Sequence, residues 1–198
     1  VQKIVDQLRD GKEVSYGFLG VHLPDNWRGE GVSVQVIPGS PIYRKVSNSE
    51  RVVIRSVDGI PLRDNDDLLY AISTRMAGSK IKLEIAGVPE PVTVTLLKLL
   101  APGPTIATNK PEPVRGMRVD YSSIFSQRNG SSFEIPPGVY VTEIEPGSPA
   151  EKAKLKDAII THVNDQPVQT PGDFYRVAAQ KRGSLKLRLY HGEEVKLD

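Results

Sequence analysis

The sequence predicts an α+β fold in which one small domain occurs twice, each copy an antiparallel β-sandwich or barrel with two helices. Three observations predict it. The word Pro-Gly-Ser-Pro stands at residues 38–41 and again at 146–149, each time after a β-rich phrase, GVSVQVI or GVYVTEIE. Three further phrases recur in the same order: residues 56–62 with 162–168, DLLYAI from Asp67 with DFYRVA from Asp173, and SKIKLEI from Ser79 with SLKLRLY from Ser184. The offset drifts only from 108 residues (Pro38 to Pro146) to 105 (Ser79 to Ser184). A period this long marks duplicated globular domains, because solenoid repeats are shorter. Two domains of about 90 residues fit the usual size range.

Residues 1–10 read as a short helix. Ile4, Val5 and Leu8 form an apolar stripe, and Gly11 is a stop signal. The stripe is too thin for a free helix, so it is expected to pack on the first domain or on one upstream. With residues up to 14, it reads as a linker helix from a missing upstream domain.

The first domain is expected over residues 15–99. Val32, Val34 and Val36 alternate as in a half-buried strand, and Val52, Val53, Ile54 and Val57 mark a more fully buried one. Asp58-Gly59 signals a tight turn between strands. Leu68, Ile72 and Met76 recur at helical spacing, with acidic residues from Asp64 to Asp67 suiting the helix N-terminus. Strands over 81–85 and 92–97 close the unit around a Gly87-Val88-Pro89 turn.

Residues 100–114 carry four prolines and no apolar period, the composition of a semi-extended linker. The second domain is expected over 115–198. It has a longer excursion through Arg128-Asn129-Gly130-Ser131-Ser132, read as a mobile loop. Thr170-Pro171 is a start signal for a helix around residues 173–179, with Thr170 or the later Asp173 as its cap.

Composition narrows the function. Basic residues number 26 and acidic 24, without a basic block. A nucleic-acid surface needs clustered Lys and Arg, so no nucleic-acid partner is expected. No apolar run reaches about 20 residues, so no membrane span is expected. Cysteine is absent, which excludes disulfides and thiolate metal sites. The chain opens on Val1 without a charged-then-apolar leader, and is read as a piece of a longer protein.

No serine in a Gly-rich nucleophile turn accompanies His22, His162 or His191, so no Ser-His-Asp triad is expected. No His, Asp and Glu grouping has metal-ligand spacing, and no cofactor is expected. His22 reads either as a contact to a bound peptide, with pH sensitivity, or as an exposed strand histidine. Trp27 reads either as a peptide-contacting lid or as cover for the core edge.

Tyr16-Gly17-Phe18-Leu19-Gly20-Val21 resembles the carboxylate-binding loop of PDZ domains. The order strand, strand, PGSP, short helix, buried strand, turn, strand, helix, two strands is similar to a bacterial, circularly permuted PDZ domain. A helix leading into that loop, followed by two such domains, resembles the C-terminal half of HtrA/Deg-type serine proteases. This implies a protease domain upstream, a periplasmic or cell-envelope location, and a role in protein quality control. The expected partners are exposed or unfolded-protein C-termini and the upstream protease domain, with a homo-oligomer as a further possibility. The chain itself is not expected to be an enzyme. The alternative is a non-enzymatic PDZ scaffold or assembly module of the envelope.

Physical chemistry supports the loop independently. A terminal carboxylate needs several N–H donors aimed at one point, and a tight glycine-containing loop supplies them. Phe18 and Leu19 suit a pocket for the terminal side chain. Val21, His22 and Leu23 offer a strand edge for an added peptide strand, with Leu69, Ile72 and Ser73 on the helix forming the other wall. The plainer reading makes Gly17 and Gly20 a turn, and Phe18 and Leu19 core. In the second copy the corresponding residues are Gly116, Met117, Arg118 and Val119, with Tyr175 on the helix. Arg118 is matched to Gly20, where arginine either reshapes the loop and weakens carboxylate binding, or adds a charge-assisted contact to an anionic terminus.

Overall fold

The computed structural model describes residues 2–198 apart from 25–26, 28, 47–48, 102–106, 129, 131–133 and 181–182. The expected linker at 100–114 and mobile loop at 128–132 fall partly outside the described residues. The chain divides into two compact units. Unit 1 comprises Val1–Thr108 with Gln127–Ile135, and unit 2 comprises Asn109–Ser126 with Pro136–Asp198. The described residues of 127–135 thus group with unit 1, and the sequence reading has that segment within 115–198.

In unit 1, α1 (Gln2–Arg9) ends where Gly11 takes a left-handed φ of 66° and the N–H of Lys12 reaches back to the Gln7 carbonyl. Its apolar stripe leaves Val5 and Leu8 exposed. There follow β1 (Gly17–Phe18), β2 (Val21–His22), β3 (Val32–Val36), β4 (Arg51–Val57) and β5 (Ile60–Pro61). The chain continues through α2 (Asn65–Ser73), β6 (Lys80–Ile85), β7 (Val92–Thr95) and β8 (Leu97–Lys98). The main antiparallel sheet runs β2-β3-β4-β6-β7, with β5 paired to β4, and β1 pairs β8 separately.

Period-two patterning builds this sheet. In β6, Ile81, Leu83 and Ile85 are buried while Lys80, Lys82 and Glu84 face solvent. The core joins them to Val32, Val34, Ile54, Val57, Leu68, Val94 and Leu96. Each fully buried aliphatic side chain contributes about 1.5–3 kcal/mol. The β4–β5 hairpin turns on Asp58 and Gly59, both with positive φ (51° and 79°), as a two-residue primed turn requires.

Helix α2 is shorter than its apolar spacing predicts. It ends at Ser73, and Met76 lies beyond it in a bridge to Tyr16. The N–H groups of Gly17 and Ala77 pair with the carbonyls of Arg75 and Ser15. Strand pairing therefore takes the backbone that a further helical turn would have used.

Unit 2 holds β9 (Met117–Tyr121), α3 (Ser122–Arg128, whose last two residues belong to unit 1), β10 (Val139–Ile144) and α4 (Pro149–Lys152). After these come β11 (Ile159–Val163), β12 (Gln166–Pro167), α5 (Pro171–Ala179), β13 (Leu185–Leu189) and β14 (Glu194–Leu197). Its sheet runs β9-β10-β11-β13-β14 with β12 on β11, the order of unit 1. Register shifts fall at matching places, between Ile54 and Ser56 in β4 and between Ile160 and His162 in β11. Asn164 repeats the role of Asp58: each side chain accepts from a backbone N–H of the neighbouring strand, Lys186 or Lys82. The architecture is α+β with antiparallel sheets and few helices.

Candidate functional site

The segment leading into the candidate loop of unit 1 is tightly held. Gly17 pairs with Lys98 and Phe18 with Leu97, while the Tyr16 carbonyl accepts from the N–H of Leu99. A Cβ on Gly17 would lie 2.6 Å from Leu96 Cδ1 and 3.1 Å from the Arg75 carbonyl oxygen. Gly17 is therefore a close-packing glycine, and Gly20 is the one that bends the loop. It adopts φ 78°, and a Cβ there would lie 2.4 Å from the Cβ of Ser40. Ser40 is fully buried, and its Oγ accepts from the N–H of Tyr43. The PGSP serine thus caps the following turn and forms the floor beneath the loop.

Pairing fixes which edge of the next strand is open. The N–H of Ile37 donates to the Gly20 carbonyl, and β2 continues the register with Val21 opposite Val36 and His22 opposite Gln35. Bonded and non-bonded pairs alternate in an antiparallel ladder. Gly20 and His22 therefore face β3, while Val21 and Leu23 aim their N–H and C=O groups away from it. Among the described residues, nothing pairs with that free edge of β2. Such an edge is a template for another strand.

Helix α2 is held at its start by Asp64, whose carboxylate accepts from the N–H of Asp67 at 2.9 Å. Leu68 and Ile72 turn into the core, whereas Leu69 and Ser73, one turn apart, are exposed. Of the three helix residues expected to line a groove, Leu69 and Ser73 share an outward stripe and Ile72 lies beneath it. Leu19 is 2% exposed and belongs to the core; Phe18, Val21, His22 and Leu23 are half-buried, and Tyr16 is exposed.

In unit 2 the structure changes the expected correspondence. The N–H of Glu145, just before Pro146-Gly147-Ser148, donates to the Gly116 carbonyl, as Ile37 does to Gly20. A Cβ on Gly116 (φ 81°) would lie 2.1 Å from the Cβ of Ser148. Gly116 is therefore the counterpart of Gly20, and Arg118 that of His22, so the arginine does not stand at the glycine position. Arg118 is instead tied to the Pro111 carbonyl through Nε at 2.8 Å, and to Glu143 and Glu145 at 3.3 and 3.8 Å. A hydrogen bond from Lys110, with Arg118 beside it, holds the Glu143 carboxyl below the usual range.

Two groups on the matching edge of unit 2 are already engaged. Met117, counterpart of Val21, exchanges both backbone bonds with Val114 across Arg115 and Gly116, at 2.9 and 3.0 Å. The N–H of Val119, counterpart of Leu23, donates to the Tyr175 hydroxyl at 3.4 Å. Burial raises the Tyr175 hydroxyl's pKa above its ordinary value, and burial beside Asp120 pushes Tyr121 to about 12.

Among the described residues, no group of three or more His, Asp and Glu side chains is placed to hold a metal. His162 Nδ1 lies 3.0 Å from Thr161 Oγ1, and the His191 ring packs near Tyr190. Trp27 is 45% exposed and its ring covers the Cα of Gly29. Sequence reasoning missed Ile135: within unit 1, its N–H donates to the Pro38 carbonyl at 2.8 Å and its side chain lies beside Gly20.

No protein-family model matches the chain. It is similar along nearly its whole length to part of several periplasmic proteases. The periplasmic pH-dependent serine endoprotease DegQ of Escherichia coli (strain K12) is 28% identical over 206 residues, covering 96% of this chain and 43% of DegQ. A probable periplasmic serine endoprotease, DegP-like, of Pseudomonas fulva is 23% identical over 205 residues, and one of Chlamydia muridarum 26% over 213. These matches cover 94% and 98% of this chain, and 43% and 41% of the two relatives. The chain thus spans about two-fifths of the length of the curated relatives it matches. Among the described residues, no helix is long and apolar enough to cross a membrane.

Proposed function

We propose that this chain is a peptide-binding, substrate-recognising region of an HtrA-like periplasmic serine endopeptidase, built from two PDZ domains. The observation that carries this reading is the free β2 edge. Val21 and Leu23 point outward there, after a loop bent at Gly20, and the exposed Leu69–Ser73 stripe of α2 is assigned as the opposite wall. A substrate segment adds as a further strand. Backbone pairing supplies affinity, and alternate side chains meet the apolar wall. The N–H groups of the Phe18–Val21 loop receive the terminal carboxylate. Similarity to the DegQ and DegP-like endoproteases supports placing this capture beside a proteolytic activity carried elsewhere in the parent protein, in envelope protein quality control.

The test is fluorescence anisotropy of a labelled peptide with an apolar C-terminus, titrated with the whole chain, beside the same peptide amidated. Saturable binding that weakens sharply on amidation is the expected result. Equal binding of both would replace carboxylate capture with recognition of internal segments. Absence of binding would remove the peptide-capture role and leave scaffold or assembly.

A further inference from the structure

We propose that unit 2 closes its own strand edge against an added peptide strand, with the Val114–Met117 hairpin and a latch formed by Tyr175. The inference rests on the reading of the β2 edge as a peptide site, and adds which of the two edges is available and which residue decides it.

The two helices can be matched residue by residue. Asp64 and Thr170 cap them, Asp67 and Asp173 follow three residues later, and Leu68 and Phe174 enter the cores. Tyr175 therefore occupies the position of Leu69. Leu69 is 53% exposed and has no polar atom to offer the strand opposite. Tyr175 is half-buried, and its ring packs edge-on against Phe174, which is fully buried, with centroids 5.4 Å apart. Anchored there, its hydroxyl accepts the Val119 N–H, the donor that an added strand would need.

Two residues earlier on β9, Met117 has its N–H and C=O engaged with Val114. Positive φ at Arg115 (51°) and Gly116 (81°) makes that two-residue hairpin. At the corresponding places in unit 1, Phe18 pairs instead with β8, and Val21 and Leu23 have no such partner among the described residues. A peptide entering unit 2 must replace existing hydrogen bonds and displace a packed ring. In unit 1, no such bond among the described residues has to be replaced at Val21 or Leu23. Since a net hydrogen bond is worth about 0.5–1.5 kcal/mol, even one internal competitor biases the choice several-fold.

The experiment is residue-resolved amide exchange and peptide titration by NMR on the whole chain, wild type and Tyr175→Phe, with Tyr175→Leu as a second variant. The phenylalanine keeps the ring against Phe174 and removes only the acceptor. Without peptide, Met117 and Val119 amides should be protected and those of Val21 and Leu23 fast. Tyr175→Phe should speed exchange at Val119 at least several-fold and leave Leu23 unchanged. The apolar carboxylate peptide should shift residues 19–23 and Leu69, and not 116–119.

Fast exchange at Val119 in the wild type, or no change there in either variant, overturns the latch. Peptide shifts at 116–119 in the wild type overturn the closure of unit 2's edge. Absence of shifts at 19–23 instead sinks the peptide-capture reading, and the exchange data still decide the latch independently.

Discussion

Gly20 and Gly116 each hold left-handed backbone with a serine Cβ in the space that their own Cβ would need, 2.4 Å away at Ser40 and 2.1 Å at Ser148. Gly59 has nearly the same φ (79°), but nothing lies within 4 Å of its missing Cβ. The three positions separate two costs. An L-residue in that conformation costs about 1–2 kcal/mol, and forced overlap in a packed site adds about 1–3 kcal/mol. Gly59→Ala should therefore destabilise by about 1–2 kcal/mol and Gly20→Ala by about 2–5 kcal/mol, read from urea unfolding with probes in unit 1. Equal losses would show that Ser40 yields freely. The sequence displays Gly20 clearly but not its counterpart. Gly20 precedes Ser40 by 20 residues and Gly116 precedes Ser148 by 32, so counting from one copy to the other misplaces it. The ladder bonds from Ile37 and Glu145, with the two serine contacts, establish the match.

Elements were legible where patterning and capping agree. In α5, Thr170 and Asp173 form a reciprocal capping box behind Pro171; of the two caps the sequence offers, Thr170 is the N-cap, and the helix starts at Pro171, two residues before Asp173. Helix α3 was not legible. Its SSIFSQR sequence has little intrinsic preference for helix, and it forms with Ser122, Ser123, Ile124 and Ser126 all buried, so tertiary packing decides. Helix α2 carries a testable electrostatic arrangement. Asp67 accepts from the Arg63 guanidinium at 2.8 and 2.9 Å and from the Arg63 backbone N–H at 3.0 Å. The side-chain bond from Arg63, then its backbone bond, holds the Asp67 carboxyl at about 2 instead of 3.8. Because the folded value is depressed, the carboxylate's contribution is fully present above pH 3.8 and is lost as the pH falls from there towards 2. Arg63→Ala should raise the Asp67 midpoint towards 3.8 while the local backbone bond remains, as seen by NMR titration of its carboxyl carbon. An unmoved midpoint would assign the depression to the backbone hydrogen bond and the helix terminus.

At the scale of the whole molecule, the recurring phrases carry one sheet order into both units, together with the Asp58 and Asn164 hairpins and the PGSP caps. What the phrases could not express is how the two copies differ at their edges. That difference depends on contacts between residues far apart in sequence, such as Val119 and Tyr175, 56 positions apart. If the helix residue facing the edge decides access, the closed state should be transferable. Leu69→Tyr puts a phenol at the helix position matched to Tyr175, where unit 1 has an exposed leucine, and the ladder directs the Leu23 N–H away from β3 as it does that of Val119. Exposure of Leu69 makes the replacement sterically mild, so folding should be retained. One internal hydrogen bond worth about 0.5–1.5 kcal/mol should weaken the carboxylate peptide by about 2- to 13-fold. Leu69→Phe adds the ring without the hydroxyl and separates bulk from bonding. Weakening by tyrosine but not phenylalanine, with new protection at the Leu23 amide, would make a single hydroxyl the difference between an open and a closed edge. Equal weakening by both would reduce the effect to steric bulk, and no weakening by either would mean that the Val114–Met117 hairpin alone keeps unit 2 shut.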